Sequence, residues 1–105
     1  MSACEQAFNA LGDPTRRSIF EKLRLSPLSV VDIATGLPVS RPAVSQHLKV
    51  LREAKLISMY QKGTKSIYQI DKQGILAMRD YLDGFWSDAL AAFKLLAEQT
   101  EKENG

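Results

Sequence analysis

Apolar residues recur along this chain with a helical period, switch once to an alternating period, and then return to the helical one. Ala7, Phe8 and Leu11 share one side of a short stretch from Cys4 to Leu11. Asp13 is the expected N-cap of a second helix. Pro14 stands at its first position, where a missing N–H costs nothing. That helix is predicted to run to about Leu25, with Ile19, Phe20 and Leu23 at three-to-four spacing on its inner side. Arg16, Arg17, Lys22 and Arg24 lie mostly off the stripe. Ser26-Pro27 ends it. Ser29 caps a short third helix, Val30 to about Thr35, with Val30, Ile33 and Ala34 inward. Gly36-Leu37-Pro38-Val39 is a tight connection, because glycine permits unusual backbone angles and proline cannot continue a helix. Ser40 caps a fourth helix, with Pro42 in its first turn, that reaches about Ala54. Its inward set is Val44, Leu48 and Leu51, with Val50 at the edge.

The period then changes. Ile57–Lys62 and Lys65–Ile70 are rich in β-branched and aromatic residues and read as strands, with Gly63-Thr64 as the hairpin turn between them. Tyr60 and Tyr68 alternate with polar residues there and fit hairpin packing better than base stacking. After Asp71 the helical period returns and runs to about Glu101, leaving the last few residues frayed. Ile75, Met78, Leu82, Phe85, Trp86, Ala89, Phe93 and Leu96 make a broad apolar face on this helix. Gly84 weakens it locally without ending it. There is no internal repeat, low-complexity segment or linker. The expected fold is mostly α with a small β-hairpin, in the order α-α-α-α-β-β-α, as a single domain over 1–105. Residues 29–54 form two short helices joined by a tight turn and 57–70 a hairpin, which together describe a helix-turn-helix with a wing.

The chain has 105 residues, room for one domain and one core, and its 45% hydrophobic and 25% charged residues exclude whole-chain disorder. The net charge of +2 is uninformative until it is divided along the chain. Between 41 and 70 there are six bases and one acid; the stretch before it is neutral and the stretch after it carries a net −3. A local phosphate-binding surface and a solvated charged face are equally compatible with that distribution. The face opposite Val44, Leu48 and Leu51 tips the balance. It carries Arg41, Pro42, Ser45, Gln46 and Lys49. Glutamine can hold adenine, and arginine guanine, through two hydrogen bonds in the major groove, and serine serves several bases. Ser40 and the backbone N–H groups at the helix start suit a phosphate. His47 lies nearer the boundary between faces and fits packing or a phosphate contact. Lys62, Thr64 and Lys65 at the hairpin tip suit backbone or minor-groove contact. Arg52 and Lys55 could add phosphate contacts at the end of the fourth helix, although Lys49, Arg52, Lys55 and Lys62, each taken singly, read first as solvated surface residues, whereas Ser45 and Gln46 read as contacts.

The segments ALGDPTRRSIFEKL, SVVDIATGLPVSRPAVSQHLKVLREAKLI and KGTKSIYQI resemble the ArsR-type winged helix-turn-helix repressors, over roughly Phe8 to Ile70 and more loosely into the last helix. SRPAVSQHLKVLREAKLI is the specific part. The resemblance implies a homodimer that binds a near-palindromic double-stranded DNA operator and releases it on a signal, regulating a small set of genes that can include its own promoter. Ser40, Arg41, Pro42, Ser45, Gln46 and His47 match the start of the family's recognition helix. Pro38 stands where the family usually has glycine, which alters the local approach of the two helices and leaves the fold intact. The first and last helices form the family's dimer interface, giving 72–101 the role of a dimerisation helix. The apolar content of that helix agrees independently, because it exceeds what so small a core can cover. Phe8, Leu11, Phe85, Trp86, Leu90 and Phe93 are the expected anchors.

Many relatives in this family sense metals through cysteine pairs or Asp/His/Glu sets. Here Ser29–Thr35 holds no cysteine and the last helix no histidine, so no metal site and no cofactor are expected. Asp80, Asp83 and Asp88 read as solvated acids. Cys4 is the lone thiol; it could cross-link two subunits but reads first as incidental. No phosphate loop or nucleophile elbow is present, so an enzyme is not expected. The N-terminus lacks a signal-peptide pattern and no window approaches the length of a membrane span, which together point to a cytoplasmic protein with no membrane partner. No effector is legible. The competing readings are a winged-helix protein-interaction module without DNA binding, which the basic face opposes, and a metal- or redox-responsive regulator, which the missing ligands oppose.

Overall fold

The computed structural model describes residues 2–104. Helix α1 spans Ala3–Gly12, α2 Pro14–Lys22, α3 Val30–Ala34, α4 Arg41–Glu53 and α5 Lys72–Asn104. Strand β1 is Leu28–Ser29, β2 Ile57–Lys62 and β3 Lys65–Ile70. The expected order holds, with one addition. The two residues after Pro27 form β1 and complete a three-stranded antiparallel sheet in the order β1-β3-β2. Leu28 faces Tyr68 and Ser29 faces Ile67 on the free edge of β3. Helix α2 stops at Lys22, short of Leu25, because the N–H groups of Leu23 and Arg24 turn to the carbonyls of Phe20 and Glu21 in a tighter turn. Helix α5 continues three residues past Glu101.

Each short helix is capped by the residue its sequence offers. Ser2, Asp13, Ser29 and Ser40 accept hydrogen bonds from the N–H groups of Glu5, Arg16, Asp32 and Ala43. The Asp71 carboxylate does the same for Gln73 at the start of α5. The Asp13 carboxyl is held below the usual carboxylate range, chiefly by the Arg16 N–H it accepts and secondarily by the charges of His47 and Arg16.

The core lies where these helices converge on the sheet. Ala7 and Ala10 from α1, Ile19 and Leu23 from the α2 end, Ile33 from α3 and Val44, Leu48 and Leu51 from α4 are buried, with Ala54, Leu56 and Ile57 closing the floor. Burying each of the valine, leucine and isoleucine side chains among them contributes about 1.5–3 kcal/mol. Two contacts fix the helix-turn-helix. The Lys22 ammonium donates to the carbonyls of Ile33 (3.0 Å) and Thr35 (2.6 Å), which caps the C-terminus of α3 from α2. In the turn that follows, the left-handed residue is Gly36, at φ 81°, while Pro38 sits in an ordinary bend.

The end of α4 is closed by a residue that sequence patterns do not flag. Lys55 adopts φ 60°, its N–H donates to the Arg52 carbonyl, and the Leu56 N–H reaches back to Leu51. This double closure is the Schellman arrangement, normally built on glycine. Helix α5 then docks on that turn. The N–H groups of Asp71 and Gly74 donate to the carbonyls of Leu56 and Lys55, at 2.9 and 2.8 Å. Only the first turns of α5 pack on the body. The rest projects from it, giving a molecule 71 Å long and about 26 by 25 Å across.

Candidate nucleic-acid interface

The inner face of α4 is fixed by Val44, Leu48 and Leu51, each at most 1% exposed. That anchoring turns Arg41, Pro42, Ser45, Gln46, Lys49 and Arg52 outward, and all six are exposed. His47 is half-buried, at the boundary between the faces, close enough for its charge to act on the Asp13 carboxyl. Ser40 is exposed at the N-cap, its hydroxyl occupied by the Ala43 N–H at 3.3 Å. The outer face of α4 thus offers two amide- and hydroxyl-bearing side chains within a rim of cations. Glu53, at its far end, is the one acid from 41 to 70.

The hairpin adds a second projection. Gly63, at φ 62°, supplies the first central residue of the two-residue turn, as a type II′ turn requires. Lys62, Thr64 and Lys65 are exposed at the tip. Lys62 and Lys65 are direct cross-strand partners. Like charges opposed in this way cost stability, and an anion between them would remove the cost. Behind them the Gln61 amide donates to the Ser66 hydroxyl at 2.9 Å, which stiffens the tip. Lys49, Arg52 and Lys55 also line a groove with Ser58 and Met59 between the end of α4 and the base of the hairpin. The sequence places Lys22 off the apolar stripe; its two bonds to α3, which set the entry to α4, leave no pattern in sequence.

The residues expected to anchor a dimer divide into two groups. Phe85, Trp86 and Phe93 are 60–68% exposed and Leu90 is 49% exposed, all on the projecting part of α5. Phe8 is 40% exposed and meets Tyr81 edge-to-face at 5.8 Å. Leu11 packs against its own core instead. Cys4 is half-buried, its Sγ 3.3 Å from the Ser2 hydroxyl. Among the described residues no group of three or more His, Cys, Asp or Glu could hold a metal ion, and no helix is long and apolar enough to cross a membrane.

A two-helix reading head, a tight turn and a basic hairpin define a winged helix-turn-helix. A helix-turn-helix domain profile matches residues 11–60. The chain is similar to the HTH-type transcriptional regulator Rv2034 of Mycobacterium tuberculosis (strain ATCC 25618 / H37Rv), 49% identical over 94 residues that make up 90% of this chain and 88% of that protein. It is also similar to the transcriptional repressor SdpR of Bacillus subtilis (strain 168), 38% identical over 64 residues, or 61% of this chain and 71% of that one. Among solved structures, an ArsR-like transcriptional regulator from Rhodococcus sp. RHA1 superposes with a TM-score of 0.73 at 30% identity, over 90% of this chain and 92% of the other. The chain belongs to the ArsR-type winged helix-turn-helix family of transcriptional regulators.

Proposed function

We propose that this chain is a sequence-specific repressor that grips a near-palindromic operator as a homodimer, with α4 in the major groove. The observation that carries the reading is the division of α4. Val44, Leu48 and Leu51 hold one face in the core, while Arg41, Ser45, Gln46 and Lys49 stand free on the other. Arg41 and Gln46 have the donor and acceptor geometry to specify guanine and adenine, each worth about 1–3 kcal/mol of discrimination. Ser40, Pro42 and His47 shape and flank the entry of the helix. Lys49, Arg52, Lys62, Thr64 and Lys65 serve phosphates, which position without reading sequence. Two copies joined through α5 and α1 would present two such helices to successive turns of one DNA face. Phe8, Phe85, Trp86, Leu90 and Phe93 supply the apolar anchors, with Leu11 supporting α1 from within. Family membership supports DNA binding. The exposed aromatic face of α5, too large for a lone small domain, supports the dimer. Work on DNA fits a cytoplasmic protein, and no step of this function calls for catalysis.

The double variant Arg41→Ala/Gln46→Ala tests the assignment. It should keep the circular dichroism and size of the wild type while its operator affinity falls to that for scrambled duplex at the same salt. Operator binding as tight as wild type would show that another surface reads the DNA.

A further inference from the structure

A groove of about 470 Å³ opens between α1, α2, β3 and α5, and none of its lining residues belongs to α4. Its floor takes one apolar side chain from each of four elements: Leu11 from α1, Phe20 from α2, Ile70 from β3 and Ile75 from α5. All four are only partly buried against the core, so each leaves apolar surface facing the groove. The rim is formed by α2 and the turn that follows it. Arg17 and Glu21 lie on the helix and Arg24 in that turn, and all three are exposed. Glu21 neutralises neither arginine. The ion pairs among the described residues join Arg16 to Asp13 and Arg79 to Asp80 and Asp83. Arg17 is held at the rim by one donor, which its guanidinium gives to the Leu11 carbonyl at 3.2 Å, leaving its other donors free. The lining is therefore apolar below, with two cations and one acid above, net positive, in a volume typical of small-molecule sites.

We propose that this groove binds an amphipathic carboxylate: an apolar chain lying over Leu11, Phe20, Ile70 and Ile75, with its anionic head against Arg17 and Arg24. Guanidinium groups hold carboxylates through paired, charge-assisted hydrogen bonds, and the apolar floor supplies area burial for the tail. A bound molecule would bear at once on the two helices assigned to the dimer and on the helix and strand that frame the reading head. Occupancy is then read out as a change in operator affinity, a consequence that rests on the DNA-binding reading.

The binding itself needs no DNA, so its failure leaves that reading untouched. The test is calorimetric titration of the full chain with decanoate, decan-1-ol and decyltrimethylammonium, which share a tail and differ in head group. Decanoate should saturate at one molecule per chain, and the alcohol and the cation should bind weaker by about tenfold or more. Arg17→Ala/Arg24→Ala alters only exposed side chains. It should retain wild-type circular dichroism and lose decanoate affinity by about tenfold or more. Absence of saturable decanoate binding would overturn the proposal. So would equal affinity in the double variant, which would put the ligand on the exposed apolar face of α5.

Discussion

Replacing Gly74 with alanine puts a methyl group where the structure has none to spare. Its Cβ would lie 2.7 Å from the Ala54 carbonyl oxygen, 2.9 Å from that of Lys55 and 2.9 Å from the Leu56 Cδ2. Two of these three atoms are main-chain oxygens in the turn that closes α4, so no side-chain rotation can make room. To restore ordinary contact, α5 must withdraw by about 0.5–0.7 Å. That withdrawal stretches the 2.8 Å bond from the Gly74 N–H to Lys55 and the 2.9 Å bond from Asp71 to Leu56. Overpacking of this kind costs about 1–3 kcal/mol, and each weakened buried backbone bond up to about 1 kcal/mol more. Alanine returns about 1 kcal/mol through helix propensity. With each term at the middle of its range, the net expectation is a loss of about 2 kcal/mol, or a fall in Tm of about 8–16 °C at 4–8 °C per kcal/mol. The assay is thermal unfolding followed by circular dichroism at one fixed protein concentration, because the Tm of the proposed dimer would depend on concentration. Gly84→Ala is the control of opposite sign. Nothing lies within 4 Å of a Cβ there, so the propensity gain of about 1 kcal/mol should appear as a higher Tm. A Gly74→Ala protein as stable as wild type would refute the argument that α5 is seated directly on the closing turn of α4.

Asp13 carries a depressed carboxyl pKa, so its stabilisation is present above the unfolded value near 3.8 and is lost as pH falls through the folded value. The Tm gap between wild type and Asp13→Ala, measured from pH 7 down to pH 2, should narrow only at the acid end; a gap unchanged with pH would contradict the charge contribution. Phe85→Glu/Phe93→Glu puts two carboxylates on the exposed stripe of α5, and light scattering should report dimers for the wild type and monomers for the variant; a wild type that is already monomeric would contradict the proposed dimer. Lys62→Ala/Lys65→Ala removes two facing charges at the hairpin tip. If each touches a phosphate, the slope of log affinity against log salt should become shallower by about 0.9 per contact, and an unchanged slope would detach the tip from DNA.

Much of this molecule is legible because its two periods are distinct. Val44, Leu48 and Leu51 define the buried side of α4, and hence its outer face, by their spacing alone. The strands Ile57–Lys62 and Lys65–Ile70 stand out by composition and by the glycine between them. Strand β1 does not, because two residues are too few for an alternation. Leu28 and Ser29 extend only because β3 leaves an edge open to them. The end of α4 is hidden for a different reason. Lys55 occupies a left-handed position where glycine is the usual signal, and tertiary contacts from α5 hold it there. Lys22 shows the same limit at the site. Its charge is visible in sequence, but its bonds to Ile33 and Thr35 span 11 and 13 residues and arise from helix packing alone. The groove over Leu11, Phe20, Ile70 and Ile75 draws on four elements, so no local pattern announces it.

Selection from a pool of randomised duplexes measures whether paired α4 helices read DNA sequence. The selected pool should be enriched in a near-palindrome whose half-sites lie about one helical turn apart, bound by two chains per duplex with affinity that falls steeply as salt rises. Recovery of no preferred sequence, or failure to bind any duplex at low salt, would contradict sequence-specific reading and favour a winged-helix module that engages protein instead.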